Sequence, residues 1–223
     1  MNVVLFGATG MVGAGVLLEC LDDARVASVL AITRAATGHS HPKLREVIHA
    51  DFFDYRDRAA DFAGCDACFF CLGVSSIGMK EDEYTRLTYD LTLAAARALA
   101  AANPQMTFCY VSGTGTDSTE RGTVMWARVK GKTENALRAL PFKATYMFRP
   151  GYIQPMRGVR SKTGWVHGAY SAIAPMYPFI EKLLPNGTTT TVNLGRAFIR
   201  AAATGYYKPI LSSADINRLA AMP

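Results

Sequence analysis

Several things are scarce in this 223-residue chain, and each scarcity narrows its function. Like charges never gather into a run of five or six. Lys and Arg outnumber Asp and Glu by 24 to 18 for a net +6, yet the basic residues are scattered, which suits an anionic small ligand better than nucleic acid. Histidines number four. His39 and His41 fall in a loop pattern, His49 in a strand pattern and His167 in the last third, and none gathers with a carboxylate and a nucleophile into a hydrolase triad. The start, MNVVLFGATG, has no basic leader and no small-residue cleavage site, so export is not expected and a cytoplasmic location is. The five cysteines, an odd number in apolar surroundings, fit a reducing compartment. Cys65, Cys68 and Cys71 have metal-like spacing, but on a strand a step of three changes face, which would turn Cys68 away from the other two. No fourth ligand is near, so no metal is expected.

What is present is an alternation of strand and helix patterns. NVVLF (2–6) reads as a buried strand, followed by Val12, Val16, Leu17, Cys20 and Leu21 at helical spacing. VASVLAIT (26–33), a segment within LREVIHADF (44–52), ACFFCLG (67–73), MTFCYVS (106–112) and ATYMFRP (144–150) read as five more strands. A long helix runs over 84–102, with Asn103-Pro104 as its stop. This order predicts an α/β fold of the Rossmann type, a doubly wound parallel sheet covered on both faces, in one domain spanning 1–223. Residues 151–223 would include a small helical cap on the substrate side, with an apolar helix over 170–184 and another over 193–205. The first of these contains Pro175, Pro178, Glu181 and Lys182 and is shorter than a membrane span. It is expected to be a core or pocket helix, with contact at a membrane surface as the alternative.

Gly7, Gly10 and Gly13 form G-x-x-G-x-x-G directly between the first strand and the first helix. That position lets backbone approach a pyrophosphate while the helix amino terminus supplies N–H donors. Thr9, Met11 and Val12 share this turn and are counted with the cofactor contacts. An acid at the end of the second strand would take the ribose hydroxyls of NAD. The strand ends instead in Thr33-Arg34, and a guanidinium there would pair with a 2′-phosphate, favouring NADP over NAD. Lys43 would assist if the intervening loop folded back. Since ligands sit beyond the carboxyl ends of parallel strands, Asp51, Phe52, Leu72, Gly73 and Pro150 are further candidates. Asp51 could accept a bond from the adenine amino group or be a turn residue.

GATGMVG, DFFD, CLG, YVSGTGTDS, VKGKTENAL and FRPGYI together resemble the short-chain dehydrogenase/reductase superfamily. They are closest to its atypical, NAD(P)-binding epimerase-like branch, which includes the Tat-interacting oxidoreductase-like proteins. The resemblance covers residues 1–155 well and the rest loosely. It implies a Rossmann core, a serine at the end of the fifth strand that positions a substrate carbonyl, a tyrosine that transfers the proton, and a lysine four residues later that binds the nicotinamide ribose. The serine matches Ser112 and the lysine Lys130, but the tyrosine's place holds Trp126.

An indole only donates a hydrogen bond and cannot lose and regain a proton near neutral pH, so Trp126 is expected to wall or stack on the pocket, or simply to pack. A water, or Tyr110, Tyr152 or Tyr84, could replace the missing acid. Two readings follow. One is an NADP-dependent oxidoreductase on a small carbonyl or alcohol with an impaired proton relay. The other is a non-catalytic NADP-binding sensor whose cap reports to a protein partner. Trp165, Tyr170, Tyr177 and Phe179, with Tyr152, would line an apolar substrate pocket.

Overall fold

Residues 1–159 and 186–222 are described by the structure, a computed structural model. The expected helix over 170–184, and with it Trp165, His167, Tyr170, Tyr177 and Phe179, lies outside the described residues. Among the described residues, no helix is long and apolar enough to cross a membrane.

The strands with unbroken apolar sequence are those buried on both faces. β1 (Asn2–Phe6) pairs in parallel with β2 (Ser28–Thr33) on one side and β4 (Ala67–Phe70) on the other. β3 (Leu44–Ile48) lies outside β2, and β5 (Thr107–Val111), β6 (Ala144–Arg149) and β9 (Ile210–Ser212) continue beyond β4. The seven-stranded order β3-β2-β1-β4-β5-β6-β9 is parallel throughout. The chain therefore winds outward from β1 and then jumps back beside it, opening a crevice at the carboxyl ends of β1 and β4. A short parallel pair, β7 (Tyr152–Gln154) and β8 (Thr188–Thr190), stands apart from this sheet.

Period-two alternation distributes β1 between two cores. Val3 and Leu5 face α1 (Met11–Asp22), and Val4 and Phe6 face the other layer. That other layer holds Phe62 of α2 (Ala59–Phe62), Ala95 and Leu99 of α4 (Leu91–Ala102) and Leu137 of α5 (Met125–Arg138). The long helix begins earlier than its apolar pattern suggests, at Glu81. Three acids in the first turn of α3 (Glu81–Thr85) complement the helix dipole without adding any apolar periodicity. A π-helical segment, Arg86–Asp90, joins α3 to α4.

The described helices of the final third pack into the core. α6 (Thr191–Thr204), capped by the Thr190 side chain accepting from Asn193 N–H, packs Leu194, Ala197 and Phe198 into the core shared with α1. α7 (Ser213–Ala221) follows β9 behind a capping box of Ser212 and Asp215. The threonines that precede α6, Thr188–Thr190, form β8. The cysteine geometry also differs from expectation. β4 begins at Ala67, so strand alternation does not reach back to Cys65, which shares a core with Cys68 while Cys71 lies against the opposite one.

α1 and α6 meet so closely that a Cβ on Gly15 would stand 2.5 Å from Thr191 Cβ. Alanine at position 15 would gain about 1 kcal/mol in helix propensity, but overpacking typically costs about 1–3 kcal/mol or more and should win. Gly15→Ala is expected to lower the melting temperature by about 2–8 °C, measured by thermal unfolding. An unchanged melting temperature would mean that the two helices part freely.

Candidate dinucleotide site

The crevice begins at the turn after β1. Gly7 has φ +83°, and a Cβ there would stand 2.8 Å from the Cys71 carbonyl carbon and 2.9 Å from Leu72 N, so the β1 and β4 ends touch backbone to backbone. Gly10 N–H donates to Gly7 O at 2.9 Å and closes the turn. A Cβ on Gly13 would lie 2.1 Å from Gly7 O, which fixes how closely α1 starts against the strand. α1 has Gly10 as its N-cap, no side-chain cap and no acid in its first turn. Thr9, Met11 and Val12 therefore belong to a turn whose first-turn N–H groups have no side-chain partner, a cradle that fits a pyrophosphate. Thr33 Oγ1, at the end of the adjacent β2, is buried with no hydrogen-bond partner among the described residues.

The residues singled out after β2, β3 and β4 come together. Arg34, Asp51, Phe52, Leu72 and Gly73 line one cavity of about 450 Å³, joined by Phe53, Val74, Arg86, Leu87 and Leu91. This volume is in the range of small-molecule pockets. Phe52 is buried beneath the cavity, and Asp51 Oδ1 accepts from Phe53 N–H at 2.9 Å. Sequence reasoning placed Arg86 within the long helix but did not single it out, because the strand-end rule does not reach residues inside a helix. Lys43 does not reach this place. It precedes β3, at the amino end of the sheet, where its Nζ donates to Asp23 O at 2.8 Å.

At the other end of the crevice, α5 presents Trp126, Lys130 and Glu134 at four-residue intervals along one face. Lys130 is almost wholly buried. Its Nζ donates to Val111 O, the last carbonyl of β5, at 3.2 Å and lies 5.3 Å from the centre of the Tyr110 ring. Burial pushes the ammonium pKa down to about 8, against the opposing pull of Glu134. Trp126 is half-buried and rests its indole on the β5–α5 loop, where a Cβ on Gly115 would approach its ring to 3.3 Å. Pro150 directly follows β6, and its carbonyl accepts from Thr114 N–H at 2.8 Å.

Ser112 is placed at the end of β5 as expected, but its hydroxyl is engaged. Oγ donates to Glu134 Oε1 at 2.5 Å, with Phe148 O also near at 3.2 Å. Glu134, 1% exposed, is also gripped by Arg149 through Nε at 3.0 Å and Nη2 at 2.5 Å. Glu134 and Arg149 are functional neighbours that sequence reasoning missed. The four-residue step from Lys130 to Glu134 was the available signal. Thr114, two residues past Ser112, is exposed, and its hydroxyl donates only to Arg149 O at 3.1 Å. The candidate replacement tyrosines are turned elsewhere. Tyr110 and Tyr84 are buried, with phenol pKa raised by burial, and Tyr152 Oη donates to Gln154 Oε1 at 2.9 Å. Among the described residues, no cluster of three or more His, Cys, Asp or Glu is arranged to hold a metal.

Two stability tests follow from this geometry. Glu134→Ala leaves the Arg149 guanidinium without its carboxylate and should cost about 3–5 kcal/mol in urea denaturation; a loss below 1 kcal/mol would show the pair to be superficial. For Lys130, the unfolded chain keeps its proton up to about pH 10.4, while the folded chain releases it near 8. Between those values the unfolded state binds more protons, so this residue makes stability rise with pH. The buried thiols of Cys20, Cys68, Cys71 and Cys109, raised by burial, act in the opposite direction, so the difference between wild type and Lys130→Met isolates the lysine. That difference should move by about 2 kcal/mol in favour of wild type between pH 8 and 10.

No established family profile matches the chain. A relative from Emericella nidulans, the mitochondrial protein fmp52, is 29% identical over 163 residues, covering 70% of this chain and 68% of its own. Relatives of that name are designated mitochondrial, which overturns the expectation of a cytoplasmic location. Among solved structures, the Bordetella bronchiseptica enzyme WbmF, in complex with NAD+, superposes with a TM-score of 0.65 at 17% identity, covering 97% of this chain and 76% of its own. A short-chain dehydrogenase family protein from Francisella tularensis superposes with a TM-score of 0.66 at 12% identity, covering 92% of this chain and 91% of its own. These likenesses show the fold, a Rossmann-type α/β architecture that this chain shares with solved epimerases and short-chain dehydrogenase/reductase proteins.

Proposed function

We propose that this protein binds NADP(H) and acts as an oxidoreductase on a small carbonyl or alcohol, with a handicapped proton relay. The observation that carries the reading is the joining of an open phosphate cradle, Gly7 to Gly13 at the start of α1, with a cavity of adenosine size. The cavity's β2 edge presents Arg34 and no acid. Solved neighbours that hold NAD support a nicotinamide dinucleotide. The guanidinium at the end of β2 favours the 2′-phosphorylated form, because an arginine offers a planar, charged donor set to a phosphate where NAD sites offer a carboxylate to ribose hydroxyls.

The bound cofactor would supply the hydride, and the residues of this chain would position the reactants. In this reading the first-turn amides of Met11, Val12 and Gly13 hold the pyrophosphate. Asp51, Phe52, Leu72 and Gly73 enclose the adenosine end, and Pro150 borders the nicotinamide end. Lys130 offers its ammonium to the nicotinamide ribose. Thr114, exposed at the same sheet edge, takes the carbonyl-orienting part that the resemblance gives to Ser112, since the Ser112 hydroxyl proton is committed to Glu134. Trp126 walls the pocket.

A non-catalytic NADP-binding sensor acting on a protein partner is the second reading. It is favoured by one observation, an indole where proton transfer needs a phenol, with no other tyrosine free to serve among those considered.

Titration with NADPH and NADH, followed by NADPH oxidation against a panel of carbonyl compounds, tests both readings. NADPH should bind at least tenfold more tightly than NADH. Turnover should be slow in the native protein and rise by about 10²-fold in Trp126→Tyr, the lower range of what a general acid supplies. Absence of dinucleotide binding overturns the proposal. Binding without turnover in either protein favours the sensor.

A further inference from the structure

We infer that Arg86 is a second phosphate-binding cation of this site, gripping the 2′-phosphate of the dinucleotide together with Arg34. The inference rests on reading the cavity as the adenosine end of an NADP site, and it extends that reading to a residue on a different crossover. Arg34 follows β2 and Arg86 lies on the helix after β4, and these two strands flank β1. Both side chains line the same cavity, and neither has a carboxylate ion-pair partner among the described residues. The remainder of the lining is largely apolar, with Phe52, Leu72, Leu87 and Leu91, and suits a base. The only acid in it, Asp51, has one oxygen turned to the Phe53 amide.

The position of Arg86 is held rather than incidental. Its guanidinium carbon stands 4.9 Å from the centre of the Phe53 ring, so an aromatic face, not a carboxylate, supports the charge. That support leaves the guanidinium's charge uncancelled. Phe53 is in turn fixed by the Asp51 turn at the end of β3. Arg86 also opens the π-helical segment Arg86–Asp90, and such local widening of a helix recurs at functional positions. A phosphate monoester carries about −1.5 to −2 at neutral pH, and one exposed guanidinium neutralises only part of it. A pair reaching it from two crossovers discriminates against the unphosphorylated ribose more sharply than Arg34 alone.

The test uses binding rather than turnover. Wild type, Arg86→Gln, Arg34→Gln and Phe53→Leu are titrated calorimetrically with NADPH, NADH, 2′,5′-ADP and 5′-ADP. Arg86 is exposed, so its replacement should leave the melting temperature unchanged. Arg86→Gln should lose about 10-fold to 100-fold in affinity for NADPH and 2′,5′-ADP, while NADH and 5′-ADP shift less than about threefold. Phe53→Leu should produce a smaller loss in the same direction. If Arg86→Gln weakens all four ligands equally, the guanidinium stacks on the base and the inference fails. It fails equally if no ligand is affected. If wild type binds NADPH and NADH alike, the NADP reading falls with it, and if wild type binds neither, the dinucleotide site itself falls.

Discussion

The carboxylate of Glu134 organises the edge of the sheet where β5 and β6 end beneath α5. It is almost completely removed from water, and a charge in that position persists only where it is surrounded by donors. Arg149 from the end of β6 and Ser112 from the end of β5 supply them, so one side chain of α5 fixes the ends of two adjacent strands. The same carboxylate lies one helical turn from Lys130 and sustains part of that residue's charge against burial. The geometry of the sheet edge, the height of α5 above it and the protonation of its lysine therefore have a common origin. The serine that would be expected to serve a substrate serves this network instead.

The two ends of the crevice are built to different standards. At the phosphate end, backbone contacts among Gly7, Gly13 and the β4 end leave little freedom, and the amino terminus of α1 is uncapped by any side chain. At the other end, Lys130 is buried at the β5 edge, and the residue one turn before it, Trp126, carries an indole, which donates a hydrogen bond but does not exchange a proton near neutral pH. Holding a cofactor and using it rapidly are separable physical demands, and under the proposed reading the two ends of the crevice answer them unequally.

Much of the architecture was legible in the residues. NVVLF and ACFF are too continuously apolar to be anything but central parallel strands, and the glycine turn between NVVLF and the first helix locates the crevice. β9 was not legible, since Ile210, Leu211 and Ser212 are too few to show a period and pair only because β6 is already there. The start of the long helix was hidden because Glu81, Asp82 and Glu83 stabilise a helix end electrostatically. Within the site, the clustering of Arg34, Asp51, Phe52, Leu72 and Gly73 followed from the strand-end rule alone. The link between Ser112 and Glu134 did not, because it joins residues 22 positions apart through a helix rotation that periodicity does not specify.

The contact between Gly7 and the Cys71–Leu72 peptide joins the phosphate turn to the wall of the adenosine cavity. Its consequence concerns which changes the chain can tolerate. The thiol of Cys71 packs against one core and could be exchanged for another small apolar group, whereas its carbonyl cannot shift without displacing the turn that would receive the pyrophosphate. Sequence variation at the end of β4 is thus free in side chain and frozen in backbone. An insertion there would distort the Gly7 turn as surely as a substitution of the glycine it touches.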